Sequence, residues 1–263
     1  MKACTINLCQ LQWHGFSAAE PMSLSAYDKK RKFDQTPEPK GKKGSTDTQL
    51  RFVVQKHDAS HLHYDFRLEL KGVLKSWAVP KGPSLDPSQK RLAMAVEDHP
   101  YDYRDFEGII PEGNYGAGTV IVWDEGYVTA LGEASLDKNE TEKLLWKQWQ
   151  SGDLKIVLHG KKLKGAFALF KMKTQDEKAW LLVKKKDAHS GESDILTKNR
   201  SVKSGKTLER VARDHGEEVH HPEKKTTKVA SRKTSPIATR TKTSARKKSS
   251  EKRSAPIKKK SGR

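Results

Sequence analysis

The chain has 263 residues, 34% hydrophobic and 32% charged, with a formal net charge of +19. That allows one sizeable core with a large polar remainder, and no run approaches the ~18 consecutive apolar residues that span a bilayer. Cys4 and Cys9 are the only cysteines, so a disulfide framework and a zinc-finger spacing are both excluded, and a reducing compartment is expected.

Residues 1–21 lack the basic-then-apolar pattern of a secretory signal. They read unlike the rest of the chain, and Met22 opens a more ordinary start, so we expect a mis-start or a leader there. Residues 22–50, rich in Lys, Pro, Gly and Thr, read as a flexible N-terminal arm or a loop laid over the core. From Arg51 the pattern is that of strands. Leu62, Tyr64, Phe66, Leu68 and Leu70 alternate with His61, His63, Asp65, Arg67 and Glu69, a period of two that places one set in a core and the other on a polar face. Arg91–Val96 repeats the alternation, with Leu92, Met94 and Val96 assigned inward. Further strands are expected at 75–79, 118–123, 154–159, 166–172 and 179–184. One helix is expected near 138–150, where Leu144, Leu145, Trp146 and Trp149 fall at helical spacing, and a short one at 205–214. The fold class is therefore mainly β, a compact barrel over 51–190 with one or two short helices. A connector at 191–220 comes next, then a basic tail.

The tail, 221–263, holds sixteen Lys and Arg against Glu223 and Glu251, a net of 16 − 2 = +14, which leaves 19 − 14 = +5 for the rest. Without an aromatic residue it is expected to stay disordered and to meet a polyanion, nucleic acid above all.

Two imidazoles and a carboxylate, His57, His63 and Asp65, form an ordinary ligand set for a divalent transition metal. His63 and Asp65 project from one face of a strand, and Arg67 continues that face as a bidentate phosphate partner. Arg91, Glu97 and His99 share one parity, extended by Tyr103 past Pro100, and Lys81 adds a cation from the turn Val79-Pro80-Lys81-Gly82-Pro83. Together these make a phosphoryl-transfer set: a metal, cations for developing charge, and an imidazole for proton transfer. Gly113, Gly116 and Gly118 lack a following Lys-Ser/Thr and read as a hairpin turn with no site role.

The segments Val54-Gln55-Lys56-His57-Asp58-Ala59, Leu62 to Glu69, Leu74 to Pro83, Val96-Glu97-Asp98-His99-Pro100 and Phe106 to Gly116 resemble the 3′-phosphoesterase module of bacterial DNA ligase D, over about residues 27–186. The resemblance implies a β-barrel enzyme, preferring Mn²⁺ with Zn²⁺ or Co²⁺ as alternatives, that removes a 3′-terminal ribonucleotide and then the 3′-phosphate to leave a 3′-hydroxyl. It implies His57, His63 and Asp65 as metal ligands. Arg67, Lys81, Arg91, His99 and Gln55 would contact phosphate, and Arg67, His99, Glu97 and Tyr103 would serve catalysis, Gln55 and Glu97 in support. Where the family's arm reads Lys-Arg-Asp-Phe this chain has Lys30-Arg31-Lys32-Phe33, which removes an acidic contribution there, while Glu38 matches. The partners implied are DNA or primer–template 3′ ends and a separate ligase, polymerase or end-binding factor. We expect a free-standing monomer, cytoplasmic and nucleoid-associated, without membrane contact.

Two other classes compete. A non-haem iron oxygenase would use the same ligand set but needs no cations facing the metal. A non-catalytic DNA-binding or recruitment factor would rest on the tail alone and bind DNA without His63.

Overall fold

The computed structural model describes residues 24–41, 44, 47–174 and 176–216. The segment 1–21, expected to be a mis-start or a leader, and the basic tail at 221–263 lie outside these residues. Ten strands run in chain order: β1 Leu50–Asp58, β2 Leu62–Leu70, β3 Val73–Val79, β4 Lys90–Ala95, β5 His99–Pro100, β6 Gly108–Ile110, β7 Gly118–Ala130, β8 Asp153–Gly160, β9 Lys164–Lys171 and β10 Ala179–Lys184. The antiparallel order β1-β2-β3-β4-β10-β9-β8-β7 closes through β7–β1 pairing, so eight strands form a barrel. The two short strands lie off the ring, β5 on β3 and β6 on β7.

An eight-stranded barrel has an interior just wide enough to be filled by side chains. Here Phe52, Phe66, Trp77, Trp123, Phe167 and Trp180 fill it, all in one cluster with Leu68, Leu70 and Leu145. Each such burial contributes about 1.5–3 kcal/mol, and a one-residue slip of β2 would forfeit them all while driving Asp65 and Arg67 inward. Register is thereby fixed, and the polar face of β2 has to lie outside the cylinder. A filled interior leaves the chemistry nowhere else to go.

The outside of β1–β3 is not bare. Tyr27, on helix α1 (Ser25–Lys29), is fully buried there in a second apolar layer with Leu74, Tyr101, Tyr103, Phe106, Ile110, Val120 and the half-buried Phe33. A 3₁₀ turn, Tyr101–Asp105, presents the two tyrosines. Residues 27–38 and 99–116 thus roof the polar face.

Helix α2 (Lys138–Ser151) packs Leu145 into the barrel core, with Leu144 and Trp149 against it. Its start is a full capping box: the Asp137 carboxylate accepts from the Glu140 amide at 2.9 Å and the Glu140 carboxylate from the Asp137 amide at 3.2 Å. Gly152, with φ +75°, ends it. Asp137→Ala is expected to cost about 1 kcal/mol, read as a lowered midpoint in urea with an unchanged slope. Helix α3 (Leu208–Asp214) sets Leu208 and Val211 on Ile121 and Leu62. Among the described residues no helix is long and apolar enough to cross a membrane.

The inward assignment of Leu92, Met94 and Val96 is overturned. Ala93 pairs with Trp180 and Ala95 with Trp77, so the inner face of β4 carries the alanines, whereas Leu92 is 43% exposed. Cross-strand partners share a face, and Arg91 pairs with the buried Leu182, which puts Arg91 on the inner register too. The misreading has a geometric source. From Ala78 to Leu74 is four residues on β3, but their partners Met94 and His99 are five apart. This bulge flips parity between 94 and 99, so His99 faces outward although Ala93 and Ala95 face in.

Candidate metal centre

β1 and β2 pair with His57 opposite His63 and Gln55 opposite Asp65, and this register brings the two imidazoles and the carboxylate together on the outer face. The His57 Nδ1 and His63 Nε2 atoms each lie 3.6 Å from a different oxygen of Asp65. The three ligand atoms are all within 4.8 Å of one another.

The opposite ring nitrogens decide the tautomers. His57 Nε2 is 2.9 Å from the Gly116 carbonyl and His63 Nδ1 is 2.8 Å from the His61 carbonyl. A carbonyl only accepts, so both of these nitrogens carry a proton, and the other ring nitrogen of each faces Asp65. A lone pair on a nitrogen facing a carboxylate is repelled by it unless a cation, a proton or a metal ion, lies between them. Ligand distances of about 2.0–2.2 Å place donor pairs roughly 3–3.5 Å apart, close to the two 3.6 Å imidazole–carboxylate separations, while the whole set lies within 4.8 Å and closes further around an ion. The donor set fits a divalent ion.

Burial alone would raise the Asp65 carboxyl, but the Arg67 guanidinium above all, joined by the two imidazoles in their protonated forms, outweighs it and holds the group well below the usual carboxylate range. Burial also lowers His63, against the pull of Asp65, which favours the neutral ligand form. Arg67 is itself buried: Nε donates to Gln55 Oε1 at 2.7 Å and Nη2 to Asp65 at 3.0 Å, with the Tyr103 ring 4.9 Å from the guanidinium. Its Nη1 is buried with no hydrogen-bond partner. An unsatisfied cationic donor beside a metal site is suited to one oxyanion. Gln55 is fully locked, donating to the carbonyls of Tyr103 and Phe106 at 3.0 Å each, so it aims Arg67 rather than contacting a ligand.

The roof supplies the rest. Glu97 pairs with Lys30 and Arg31 at 2.9 Å each. Burial opposes its ionisation, yet hydrogen bonds from Arg31 and Lys30 keep its pKa low. Arg31 also donates to Glu38 at 3.1 Å, and Glu38 accepts from the Tyr103 hydroxyl at 3.0 Å and from Thr36 at 3.1 Å. Burial, then Glu38, pushes the Tyr103 phenol well above its ordinary value. His99 donates from Nδ1 to the Glu97 carbonyl at 2.9 Å and accepts at Nε2 from Arg31 at 3.2 Å; burial, then Arg67 and Arg31, hold it neutral.

A cavity of about 290 Å³ is lined by all of His57, His63, Asp65, Arg67, Glu97, His99 and Tyr103. Besides Gln55, two residues expected there do not line it. Lys81 is exposed on a turn closed by a Gly82–Val79 hydrogen bond and lines a separate opening with Lys56 and Asp194. Arg91 is on the inner register of β4 and does not line the cavity. Arg31, Glu38 and the Gly116 carbonyl are site groups whose roles the sequence pattern does not announce, although Glu38 matches the arm of the resembling family. The arm carries no periodicity to mark the first two, and a backbone carbonyl leaves no side-chain signature; the φ of +78° at Gly116 shows only after folding.

A family model for the DNA Ligase D 3′-phosphoesterase domain matches residues 55–171. The multifunctional non-homologous end joining protein LigD of Pseudomonas aeruginosa is 50% identical over 192 residues, 70% of this chain and 22% of that protein. LigD of Mycolicibacterium smegmatis is 39% identical over 166 residues, 62% of this chain and 21% of that one. The LigD DNA repair protein of Mycobacterium tuberculosis is 40% identical over 177 residues, 66% and 21%. The chain thus spans about a fifth of the length of these relatives. The matched segment begins inside β1 and ends with β9, and so takes in the metal triad, Arg67, Glu97, His99 and Tyr103. Residues 55–171 of this chain carry the DNA ligase D 3′-phosphoesterase module.

Proposed function

We propose that this protein is a metal-dependent phosphoesterase that trims the 3′ ends of DNA strands, removing a terminal ribonucleotide and then the 3′-phosphate, in DNA end joining. The observation that carries the reading is the union, in one cavity, of the His57–His63–Asp65 triad with the partnerless Nη1 of Arg67.

The triad holds the ion, with Mn²⁺ as first choice and Zn²⁺ or Co²⁺ compatible with the same donors. When bound, such an ion polarises the phosphorus–oxygen bond and lowers the pKa of a coordinated water. Arg67 grips a phosphate oxygen through Nη1 and stabilises the charge that develops on it, with no reorganisation because Gln55 and Asp65 fix its plane. His99 is the one imidazole of the cavity outside the triad, and its unprotonated Nε2 is the group to which we assign proton transfer. Glu97 and Tyr103 act through others, Glu97 by holding Arg31 and Tyr103 by its contacts with Arg67 and Glu38. Lys81 and Arg91 have no part in this scheme.

The test is conversion of a 5′-labelled DNA strand ending in one ribonucleotide, annealed as a primer on a template, with Mn²⁺ supplied. We expect shortening to a 3′-phosphate and then a 3′-hydroxyl. His63→Ala should lose more than the roughly 10–100-fold that accompanies loss of an outer-shell metal partner. Retained DNA binding with no product under any divalent metal would replace this reading with that of a non-catalytic recruitment factor.

A further inference from the structure

The rim of the cavity carries a feature that neither metal binding nor phosphate binding requires. Tyr115 lines the same cavity as the triad and is 50% exposed, the most exposed large apolar side chain among the described residues. An isolated exposed aromatic is ordinary. Three observations set this one apart.

Its loop is rigid and tied to the metal centre. Asn114 and Ala117 amides close successive turns on Pro111 and Asn114 carbonyls, and the Asn114 side chain donates again to Pro111 at 3.2 Å. The next residue, Gly116, holds His57 through its carbonyl at 2.9 Å. The ring is therefore anchored one residue, about 3.8 Å of chain, from the group that fixes a metal ligand. Second, cations flank it: the Lys30 ammonium is 4.3 Å and the Arg31 guanidinium 5.7 Å from the ring centroid. Third, those cations are held by Glu97, at 2.9 Å each, so the ring and its flank form one piece with the roof.

A flat ring with half its surface in water, set beside an oxyanion seat by the turns of its loop and by the cations on its flank, meets whatever is covalently attached to that oxyanion. If the protein is the 3′-end phosphoesterase proposed for it, that attachment is the 3′-terminal nucleoside. We propose that Tyr115 is a stacking platform for the nucleobase of the 3′-terminal nucleotide, with Lys30 supporting the ring from the arm. Every base has a π-face, so the platform grips any sequence, which suits an activity directed at strand ends.

Two measurements separate this from the proposed activity. In the first, oligonucleotides with a 3′-phosphate, ending either in a normal nucleotide or in an abasic one, are turned over by wild type and by Tyr115→Ala. Wild type should show a KM roughly 5- to 150-fold higher for the abasic end. Tyr115→Ala should raise KM for the normal end to about the abasic value, and Tyr115→Trp should restore it. Equal KM for both ends in wild type, or an equal rise for both in the alanine variant, overturns the platform. In the second, metal-free protein is titrated into an oligonucleotide ending in 2-aminopurine, whose fluorescence falls on stacking. Quenching by wild type and not by Tyr115→Ala supports the platform even where no turnover occurs, in which case the activity fails alone. Quenching that persists in Tyr115→Ala overturns it.

Discussion

Arg67→Lys should lower kcat by two to three orders of magnitude while leaving divalent-metal affinity within a few-fold of wild type. The guanidinium makes two commitments, Nε to Gln55 and Nη2 to Asp65, and leaves Nη1 without a hydrogen-bond partner among the described residues. A lysine ammonium is a point charge on a flexible stem and cannot hold the Gln55 and Asp65 contacts while extending a donor into the cavity. Loss of one preorganised donor to a developing oxyanion costs about 10²–10³ in kcat. Metal binding, measured calorimetrically with Mn²⁺, is the control, because the triad's imidazoles are oriented by the Gly116 and His61 carbonyls and not by Arg67. A lysine variant that keeps turnover within about fivefold of wild type would reduce Arg67 to a counter-ion for Asp65.

Arg31→Met should be the most destabilising single change in the roof, by about 3 kcal/mol, the low end of the 3–5 kcal/mol for breaking a buried pair from one side. Arg31 joins Glu38 and Glu97, and all three side chains are 4% exposed or less. The low end applies because neither carboxylate is wholly abandoned. Glu97 keeps Lys30, and Glu38 keeps the Tyr103 and Thr36 hydroxyls. For a domain of this size that corresponds to a fall of roughly 6–12 °C in Tm. Adding Glu38→Gln should recover part of it, since a neutral amide still accepts from both hydroxyls. A Tm unmoved by Arg31→Met would mean that the roof is held by the Tyr27–Tyr103 apolar layer alone.

Both changes bear on what the sequence makes legible. The barrel is readable chiefly from β2, whose strict alternation states both faces at once: Phe66 and Leu68 belong to the barrel core, Asp65 and Arg67 to the polar outer face, where the roof buries them. The same alternation makes the metal triad readable, since His63 and Asp65 share a face and β1 delivers His57 opposite His63. The second half of β7 is not readable, because Asp124, Glu125 and Gly126 interrupt its apolar pattern. They are accommodated locally, the Asp124 carboxylate accepting from the Lys162 and Leu163 amides. Arg91 is misplaced by its pattern for a different reason. Parity counting assumes an unbroken strand, and one extra residue between Met94 and His99 defeats it. Arg31 and Glu38 escape because their roles come from tertiary docking of an arm without period, and the place of Lys81 at a separate opening is not legible because a turn fixes a backbone without saying which side of the sheet it faces.

The closure of the barrel has a consequence for motion. β1 is laddered to β2 on one edge and to β7 on the other, so the backbone at Gln55 and His57 is released only when the whole cylinder comes apart. The segment bearing Arg31 and Glu38 crosses the site without joining the barrel ladder and is held largely by side chains, so it can lift by a sub-global opening that leaves the ladder intact. Substrate entry and ligand geometry are therefore governed by different free energies: the roof can breathe to admit a strand end while the ion-binding face stays as stiff as the fold itself.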